Sequence, residues 1–249
     1  MSRTDIPLGN NTTIAVDFLT RHQSFAVNKF GENPASAGNA WEDLWSLGGT
    51  YPFPASALIT KVKQSVDQST MRGQKVRVFG LNNNFDQVTQ DVTLDATNTT
   101  TAVGITPLRR ISRMIVLSAI VGTQNIVATN TAGDVTYAAI IAGYNQTLMG
   151  IWTVPSGYTA YMTNFWVDVE QITTARPAAV RLWVADAGNG HAFAIKCSKF
   201  TSKEAGQVKQ EYNPFFRIPE KHDIKLSASP DTNAADVHGG FDLLVIKNA

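Results

Sequence analysis

The stretch SPDTNAADVHG (229–239), near the end of the chain, holds the residue types that bind calcium. Asp231, Asn233 and Asp236 carry side-chain oxygens, which are the ligands that Ca²⁺ takes in proteins. Their spacing differs from that of an EF-hand, in which ligands alternate along the loop and a glutamate closes it. We therefore interpret the stretch as a solvated loop. We expect no metal and no cofactor, and these three residues are the candidate ligands if a metal binds.

The residues that could carry catalysis form no recognisable catalytic motif. The sequence has no G-x-x-x-x-G-K-[ST], no G-x-S-x-G and no H-E-x-x-H. Asp86 and Asp91 flank a predicted turn, where aspartates serve turn formation and solubility. The single cysteine, Cys197, is predicted to share a strand face with Phe193 and Ile195 and to act as a small hydrophobic residue. We therefore predict a protein that is not an enzyme and has no small-molecule substrate.

Five tryptophans are many for a chain in which only 16% of the residues are charged. Trp183 is predicted to lie opposite the apolar face of its strand, and an exposed tryptophan usually marks an interface or a platform for sugars. Trp41, Leu44 and Trp45 fall in the best helix candidate of the chain. These four residues are the predicted interface residues.

Charge and hydropathy exclude several classes of partner. Lys and Arg total 21 and Asp and Glu total 20, which gives a net charge of +1 without the basic stripe of a nucleic-acid binder. The longest apolar runs, MIVLSAIVG and YAAIIAG, fall short of the roughly 20 residues of a membrane span. The first residues, MSRTDIPLGNNTT, lack the apolar segment of a secretory signal. We expect neither nucleic acid nor membrane as a partner.

The elements that must position these residues are mostly strands. SAGNAWEDLWSLGG (36–49) predicts one short helix, because Trp41, Leu44 and Trp45 have the spacing i, i+3, i+4 and two glycines follow. From residue 58 onward, short β-branched runs alternate with Asn, Gly, Asp and Thr clusters. In KVRVFGLNNNFDQVTQDVTL (75–94), for example, two such runs flank an asparagine-rich turn, which predicts a hairpin.

Period-two patterns indicate antiparallel sheets with one face in a core and one face in water. Val180, Leu182 and Val184 alternate with polar or aromatic residues, and DIKLSAS (223–229) alternates in the same way. Many strands at short spacing, without long helices between them, predict packed sheets. We predict an all-β protein with two antiparallel, jelly-roll-like β-sandwiches, over 49–145 and 146–249. Residues 1–48 are predicted to form an N-terminal arm that contains the short helix.

Several segments resemble virion structural proteins of marine tailed bacteriophages. These are the hairpin VRVFGLNNNFDQVTQDVTL, with its Gly-Leu-Asn turn, the segment QTLMGIWTVPSGYTAYM, the run FFRIPEKHDIKLSAS and the closing strand GGFDLLVIKNA. The similarity runs in order from about residue 51 to the last residue, about four-fifths of the chain. It does not include the first 48 residues.

The resemblance implies a non-enzymatic component of the virion, made in the host cytoplasm. Its partners would be other copies of the chain and other virion proteins. An external accessory of the head, a decoration or vertex protein, is the first expectation, and a neck or tail component is the second. A carbohydrate-binding, lectin-like module of a tail fibre stays open, because β-sandwiches serve both kinds of function.

Overall fold

The structure is a computed structural model that describes residues 24–170, 178–201, 206–231 and 235–248. Within these ranges the chain is built almost entirely from antiparallel strands, which confirms the predicted all-β class. The helical content of these ranges is one 3-10 turn at Ser69–Met71. No helix in the described part is long and apolar enough to cross a membrane.

Sixteen strands are present in the described residues. In chain order they are β1 (Ser24–Ser36), β2 (Glu42–Asp43), β3 (Ile59–Gln64), β4 (Lys75–Leu81), β5 (Gln87–Thr93), β6 (Val103–Leu108), β7 (Arg110–Val116), β8 (Ile126–Thr129), β9 (Thr136–Ile140), β10 (Ile151–Thr153), β11 (Tyr158–Glu170), β12 (Ala178–Asp186), β13 (Phe193–Phe200), β14 (Gln207–Ile218), β15 (His222–Pro230) and β16 (Ala235–Lys247).

These strands form two pairs of sheets. In the first sandwich, a four-stranded sheet in the order β6-β3-β8-β9 and a three-stranded sheet in the order β5-β4-β7 share one core. In the second sandwich, a four-stranded sheet in the order β1-β16-β11-β14 packs against a five-stranded sheet in the order β10-β15-β12-β13, with β2 beside β15. Each core is apolar because alternate residues of its strands point inward.

The predicted hairpin is formed by β4 and β5, which pair from Lys75 opposite Thr93 to Leu81 opposite Gln87. The side chain of Asn82 shapes the turn, since its Oδ1 accepts hydrogen bonds from two backbone N–H groups further along the turn. Asparagine is common at such positions because its side chain can replace a backbone partner. The asparagine-rich cluster is therefore the turn that the sequence predicted.

The predicted helix around Trp41 is wrong. Glu42 and Asp43 instead form β2, and Asp43 lies opposite Ser227 of β15. In an extended chain adjacent side chains point in opposite directions. Leu44 accordingly enters the core of the second sandwich and Trp45 the core of the first. A helix would have placed both side chains on one face. The helical spacing instead arises because this segment passes between two cores and supplies a side chain to each.

The segment predicted as an N-terminal arm is described from Ser24 onward. Ser24–Ser36 forms β1, which pairs with β16 along most of its length. Residues 41–53, here called the crossing segment, then lead from the second sandwich to the first. The backbone carbonyl of Leu44 accepts a hydrogen bond of 2.7 Å from the N–H of Gly150, which ties the crossing segment to the start of the second sandwich.

Candidate assembly surface and the junction between the sandwiches

The outer face of the five-stranded sheet carries Phe200, which has the highest exposed fraction of the large apolar side chains in the described residues. Core residues of β12 alternate with residues that point away from the core, as period two requires. The outward set pairs across to β13: Ala179 lies opposite Phe200, and Trp183 lies opposite Ile195. Phe200 is 73% exposed and Ile195 is 46% exposed. β13 is the edge strand of this sheet, so its outer side is open.

Arg181 joins these residues to Trp41. The Arg181 guanidinium carbon lies 3.9 Å from the ring centroid of Trp41 and 5.5 Å from that of Trp183, so the cation is held between two indoles. Such contacts contribute about 0.5–1 kcal/mol each at exposed sites. We call these five residues, Trp41, Arg181, Trp183, Ile195 and Phe200, the contact patch.

Two donors of the contact patch have no acceptor. The indole N–H of Trp183 and the Nε of Arg181 are covered by protein and make no hydrogen bond within the described chain. A covered donor without a partner costs about 1–3 kcal/mol. Tryptophan and arginine are also the residue types that dominate the energetics of protein interfaces. The contact patch therefore has the composition of a binding surface.

The four predicted interface residues occupy different places. Trp41 and Trp183 belong to the contact patch, Trp41 being 36% exposed. Leu44 is fully buried in the second core, and Trp45 is buried in the first core, where its ring lies 5.1 Å from that of Tyr51 in an edge-to-face contact. Substitution of the two buried residues would therefore report on folding, whereas Trp41 and Trp183 are accessible to a partner.

A bulge changes the predicted face of Cys197. The pairing of β12 with β13 shifts register between Leu182 and Trp183, so Cys197 lies opposite Leu182 on the core side while Ile195 points outward. Cys197 is half-buried and packs against the second core. Burial raises the pKa of its thiol, which favours the unreactive protonated form.

The candidate calcium loop is only partly described. Asn233 lies outside the described residues, while Asp231 and Asp236 lie within them. Among the described residues, no group of three or more His, Cys, Asp or Glu side chains is placed to hold a metal ion.

Asp236 instead belongs to an acidic area on the outer face of the four-stranded sheet. It lies directly opposite Glu170 in the pairing of β16 with β11, and Asp168 points to the same side. Like charges that face each other across two strands repel and destabilise the sheet. We call these three residues the acidic face. It lies on the opposite side of the second sandwich from the contact patch, because the two sheets turn their outer faces away from each other.

A second polar group of residues lies at the junction of the two sandwiches. Arg110 of β7 binds Asp223 of β15 through two parallel hydrogen bonds, Nε to Oδ1 at 2.9 Å and Nη2 to Oδ2 at 2.7 Å. Both side chains are almost completely buried. The Nη1 of Arg110 also donates to the carbonyl oxygen of Pro54 at 2.5 Å. This planar, two-pronged geometry is the strongest form of ion pair in proteins.

Asp223 has two further partners. The hydroxyl of Thr153 donates to its Oδ1, and Nε2 of His191 lies 2.6 Å from its Oδ2. Burial raises the pKa of this carboxyl, but the hydrogen bonds from Arg110, His191 and Thr153 outweigh burial and hold its pKa below the usual range. A histidine beside an aspartate also occurs in acid–base catalysis. Here the carboxylate is occupied by three donors, so the arrangement serves as a clamp between the sandwiches.

The crossing segment is anchored by a second buried carboxylate. Asp43 accepts hydrogen bonds from the backbone N–H of Tyr51 at 2.9 Å, from Nζ of Lys225 at 2.9 Å and from the hydroxyl of Ser227 at 2.6 Å. Lys225 and Ser227 alternate with core residues of β15 and were predicted to face water. They are covered instead, because β2 of the crossing segment pairs with β15 here and Asp43 binds both side chains.

No sequence motif marks Arg110, Asp223 and His191 as a group. Arg110 is 113 residues from Asp223, and the two meet only because one sandwich packs on the other. No local spacing signals such a pair. The alternation in DIKLSAS places Asp223 on the face of its strand away from the core. It does not show that this face is covered by the rest of the molecule.

Comparisons with known proteins identify no family for this chain. No family model matches the chain, and no curated protein matches it. Among solved structures, the crystal structure of the infectious bursal disease virus VP2 subviral particle is similar at 9% sequence identity, over 91% of this chain and 77% of that chain, with a TM-score of 0.21. A likeness of this size carries no argument about fold or function.

Proposed function

We propose that this protein is a non-enzymatic structural component of a tailed-phage virion and that it assembles as a homo-oligomer. The observation that carries the proposal is the contact patch, in which two indoles, a guanidinium and two apolar side chains share the outer face of one sheet. Covering Phe200 alone would contribute about 2 kcal/mol to a contact. The proposed location is the outside of the head, with the neck or tail as the alternative.

The segments that resemble marine phage virion proteins support this proposal by their position. The turn of the first hairpin, the Val-Pro-Ser-Gly turn and the Ile-Pro-Glu-Lys turn meet at the junction. The N–H of Ser156 donates to the carbonyl oxygen of Phe85 at 2.9 Å, and the N–H of Gly157 donates to Glu220 at 2.6 Å. In this chain the turn of the first hairpin is thus bonded to the Val-Pro-Ser-Gly turn, which is bonded to the Ile-Pro-Glu-Lys turn of the same sandwich.

The proposed partner of the contact patch is a second copy of the chain, which binds the patch through its acidic face. Arg181 in the patch and Lys196 on the neighbouring edge strand are cationic, while Asp168, Glu170 and Asp236 are anionic on the opposite side of the sandwich. A contact between different surfaces of identical chains is head-to-tail, and it forms a closed ring when the rotation between copies permits. The partner's Arg181 would also relieve the repulsion between Glu170 and Asp236.

Sedimentation of the purified chain tests the assembly. We expect discrete oligomers for the natural sequence and monomers for Phe200→Ser and for Arg181→Glu. The variant Leu58→Ser is the matched control, because Leu58 is 45% exposed on the first sandwich and lies outside the contact patch. It should assemble as the natural sequence does.

A charge exchange tests the identity of the occupant. Glu170→Arg alone should prevent assembly, and the pair Arg181→Glu with Glu170→Arg should restore it, because the attraction is then reversed and not lost. A natural sequence that stays monomeric at every concentration would refute the homo-oligomer. Assembly that none of the single variants Phe200→Ser, Arg181→Glu and Glu170→Arg alters would refute the proposed contact.

The virion location has its own test. Particles purified from a lysate of the phage that encodes the chain should contain it in a fixed ratio to the major capsid protein, measured by quantitative mass spectrometry. Labelled antibodies seen by electron microscopy should mark the head and not the tail. Particles that lack the chain would refute the proposal, whereas label at the neck or tail would favour the alternative location.

A further inference from the structure

A cleft separates β1 of the second sandwich from β4 and β7 of the first. Its volume is about 640 Å³, and a smaller cavity of about 180 Å³ adjoins it and shares several of its walls. Four aromatic side chains line it: Phe25, Phe30, Phe79 and Trp152. Ligand sites in proteins are typically clefts of about 300–1,000 Å³ with mainly apolar walls and a few polar groups. The larger cavity falls in this range.

A buried cation points into this cleft. Lys29 lies on the inner side of β1, and its ammonium group donates a hydrogen bond to the backbone carbonyl oxygen of Ser112. An ammonium group has three donors, and the other two make no hydrogen bond within the described chain. Burial, with a smaller effect from Arg113, lowers the pKa of Lys29 to about 7. No carboxylate of the described residues contacts Lys29, although a buried charge normally has such a partner.

The remaining polar groups of the cleft also offer donors. Arg113 donates to Oε1 of Gln146, and within the described part of the chain the amide nitrogen of Gln146 and the other guanidinium N–H groups make no hydrogen bond. The hydroxyl of Ser112 is engaged with the carbonyl oxygen of Phe79. No Asp or Glu of the described residues lines either cavity. A site with unused donors and unused positive charge is complementary to a ligand that supplies acceptors and negative charge.

We propose that this cleft binds an acidic saccharide, with the ring carboxylate on Lys29 and Arg113 and the sugar ring against the aromatic walls. Two adjacent cations can bind one carboxylate together. The apolar C–H face of a sugar ring fits a flat aromatic side chain such as Phe30, which lines the cleft and is 37% exposed. The hydroxyl groups of the sugar would accept hydrogen bonds from the free amide of Gln146. This site does not depend on assembly through the contact patch.

Calorimetric titration of the full-length chain with four probes tests the proposal. At pH 6 and low salt we expect glucuronate to bind, glucose to bind at least tenfold more weakly, and acetate and inorganic phosphate to bind at least tenfold more weakly than glucuronate. Glucose lacks the charge, and acetate and phosphate lack the ring. Equal affinity for glucuronate and acetate, or for glucuronate and phosphate, would overturn the saccharide and leave a simple anion site. Equal affinity for glucuronate and glucose would overturn the role of the cations.

Three variants test which residues form the binding site. Lys29→Met keeps the length of the side chain and removes its charge, and we expect it to weaken glucuronate binding at least tenfold. Arg113→Gln should weaken it several-fold. Lys63→Met removes a cation from β3, which does not line the cleft, and should bind as the natural chain does. Circular dichroism and thermal unfolding show whether each variant is folded. Unchanged binding in a folded Lys29→Met chain would overturn the site, and so would an absence of glucuronate binding by the natural chain.

Discussion

Arg110 and Asp223 show how a single contact joins the two halves of the molecule. The pair is buried, its geometry is bidentate, and each partner comes from a different sandwich. Burying either charge alone would cost several kcal/mol, because a charge that leaves water needs a partner. Removal of one partner should therefore lower the free energy of unfolding more than removal of both partners.

This asymmetry gives the first prediction at the residue scale. Arg110→Met should lower the free energy of unfolding by about 3–5 kcal/mol, because Asp223 would remain buried without its cation. The double variant Arg110→Met with Asp223→Leu should lose less than Arg110→Met alone. Urea denaturation of the natural chain, of Arg110→Met, of Asp223→Leu and of the double variant measures these losses. Additive losses would mean that the pair is not coupled.

The same pair predicts a dependence of stability on pH. Because the folded pKa of Asp223 lies below its unfolded value of 3.8, the pair stabilises the fold above that value, and the contribution is lost as the pH falls through the folded pKa. Asp223→Leu removes this contribution at every pH. Its loss of stability relative to the natural chain should therefore be large at neutral pH and should shrink in strong acid.

What the sequence predicts for single residues depends on whether their surroundings are local. Trp183 was expected opposite the core face of its strand, and it lies there, because period two is a property of the strand itself. Asp223 has the same alternation but is fully buried, because Arg110 of the first sandwich, with His191 and Thr153, surrounds its carboxylate. Alternation shows which side a residue faces, and it contains no information on what covers that side.

At the scale of elements, regular strands were predictable and the crossing segment was not. The run KVRVFGL corresponds to β4, and AAVRLWVADA contains β12, since both alternate cleanly. β1 was missed because polar residues such as Lys29, Glu32 and Asn33 interrupt its pattern. These residues are buried in the structure, and Lys29 donates a hydrogen bond to the carbonyl oxygen of Ser112 in the first sandwich.

β1 also depends on a close approach of backbones at Gly31. A Cβ atom built on Gly31 would lie 2.1 Å from the backbone nitrogen of Gly150 and 2.7 Å from the carbonyl oxygen of Leu44. Backbone atoms cannot move aside as the end of a flexible side chain can. The absence of a side chain at Gly31 therefore lets β1, the crossing segment and the loop before β10 meet.

The second prediction is that Gly31→Ala destabilises the protein by about 3 kcal/mol or more, the upper range for overpacking in a rigid environment. Gly104→Ala is the matched control, because Gly104 lies on β6 with no atom within 4 Å of its added Cβ. It should change stability by no more than about 1 kcal/mol. Thermal unfolding of both variants measures the difference. Equal melting temperatures would show that the contact at Gly31 is readily relaxed.

At the scale of the whole molecule, the two cores were predictable while the path of the chain between them was not. Apolar periodicity from residue 58 onward is sufficient to indicate packed sheets. The sequence offers no comparable signal that Leu44 and Trp45 enter different cores or that β1 pairs with β16 at the far end of the chain. Such pairings are set by the long-range packing of complete sheets.

This topology makes a third prediction about the limits 146–249 that the sequence assigned to the second sandwich. A chain of these residues alone would lack β1, so one side of β16 would lose its partner from Ser24 to Ser36. It would also lack Leu44, which is fully buried in the second core. Loss of one buried leucine costs about 2–5 kcal/mol, which is comparable to the whole stability of a small domain.

We therefore expect the fragment 146–249 to be unfolded or aggregated when it is expressed alone, because an open, apolar strand edge promotes association. Adding residues 24–49 as a separate peptide should restore folding, since that peptide supplies β1, β2 and Leu44 together. Circular dichroism and amide-exchange NMR of the fragment, with and without the peptide, measure the outcome. A fragment that is folded and monomeric without the peptide would show that β1 and Leu44 are accessory to a core complete within residues 146–249.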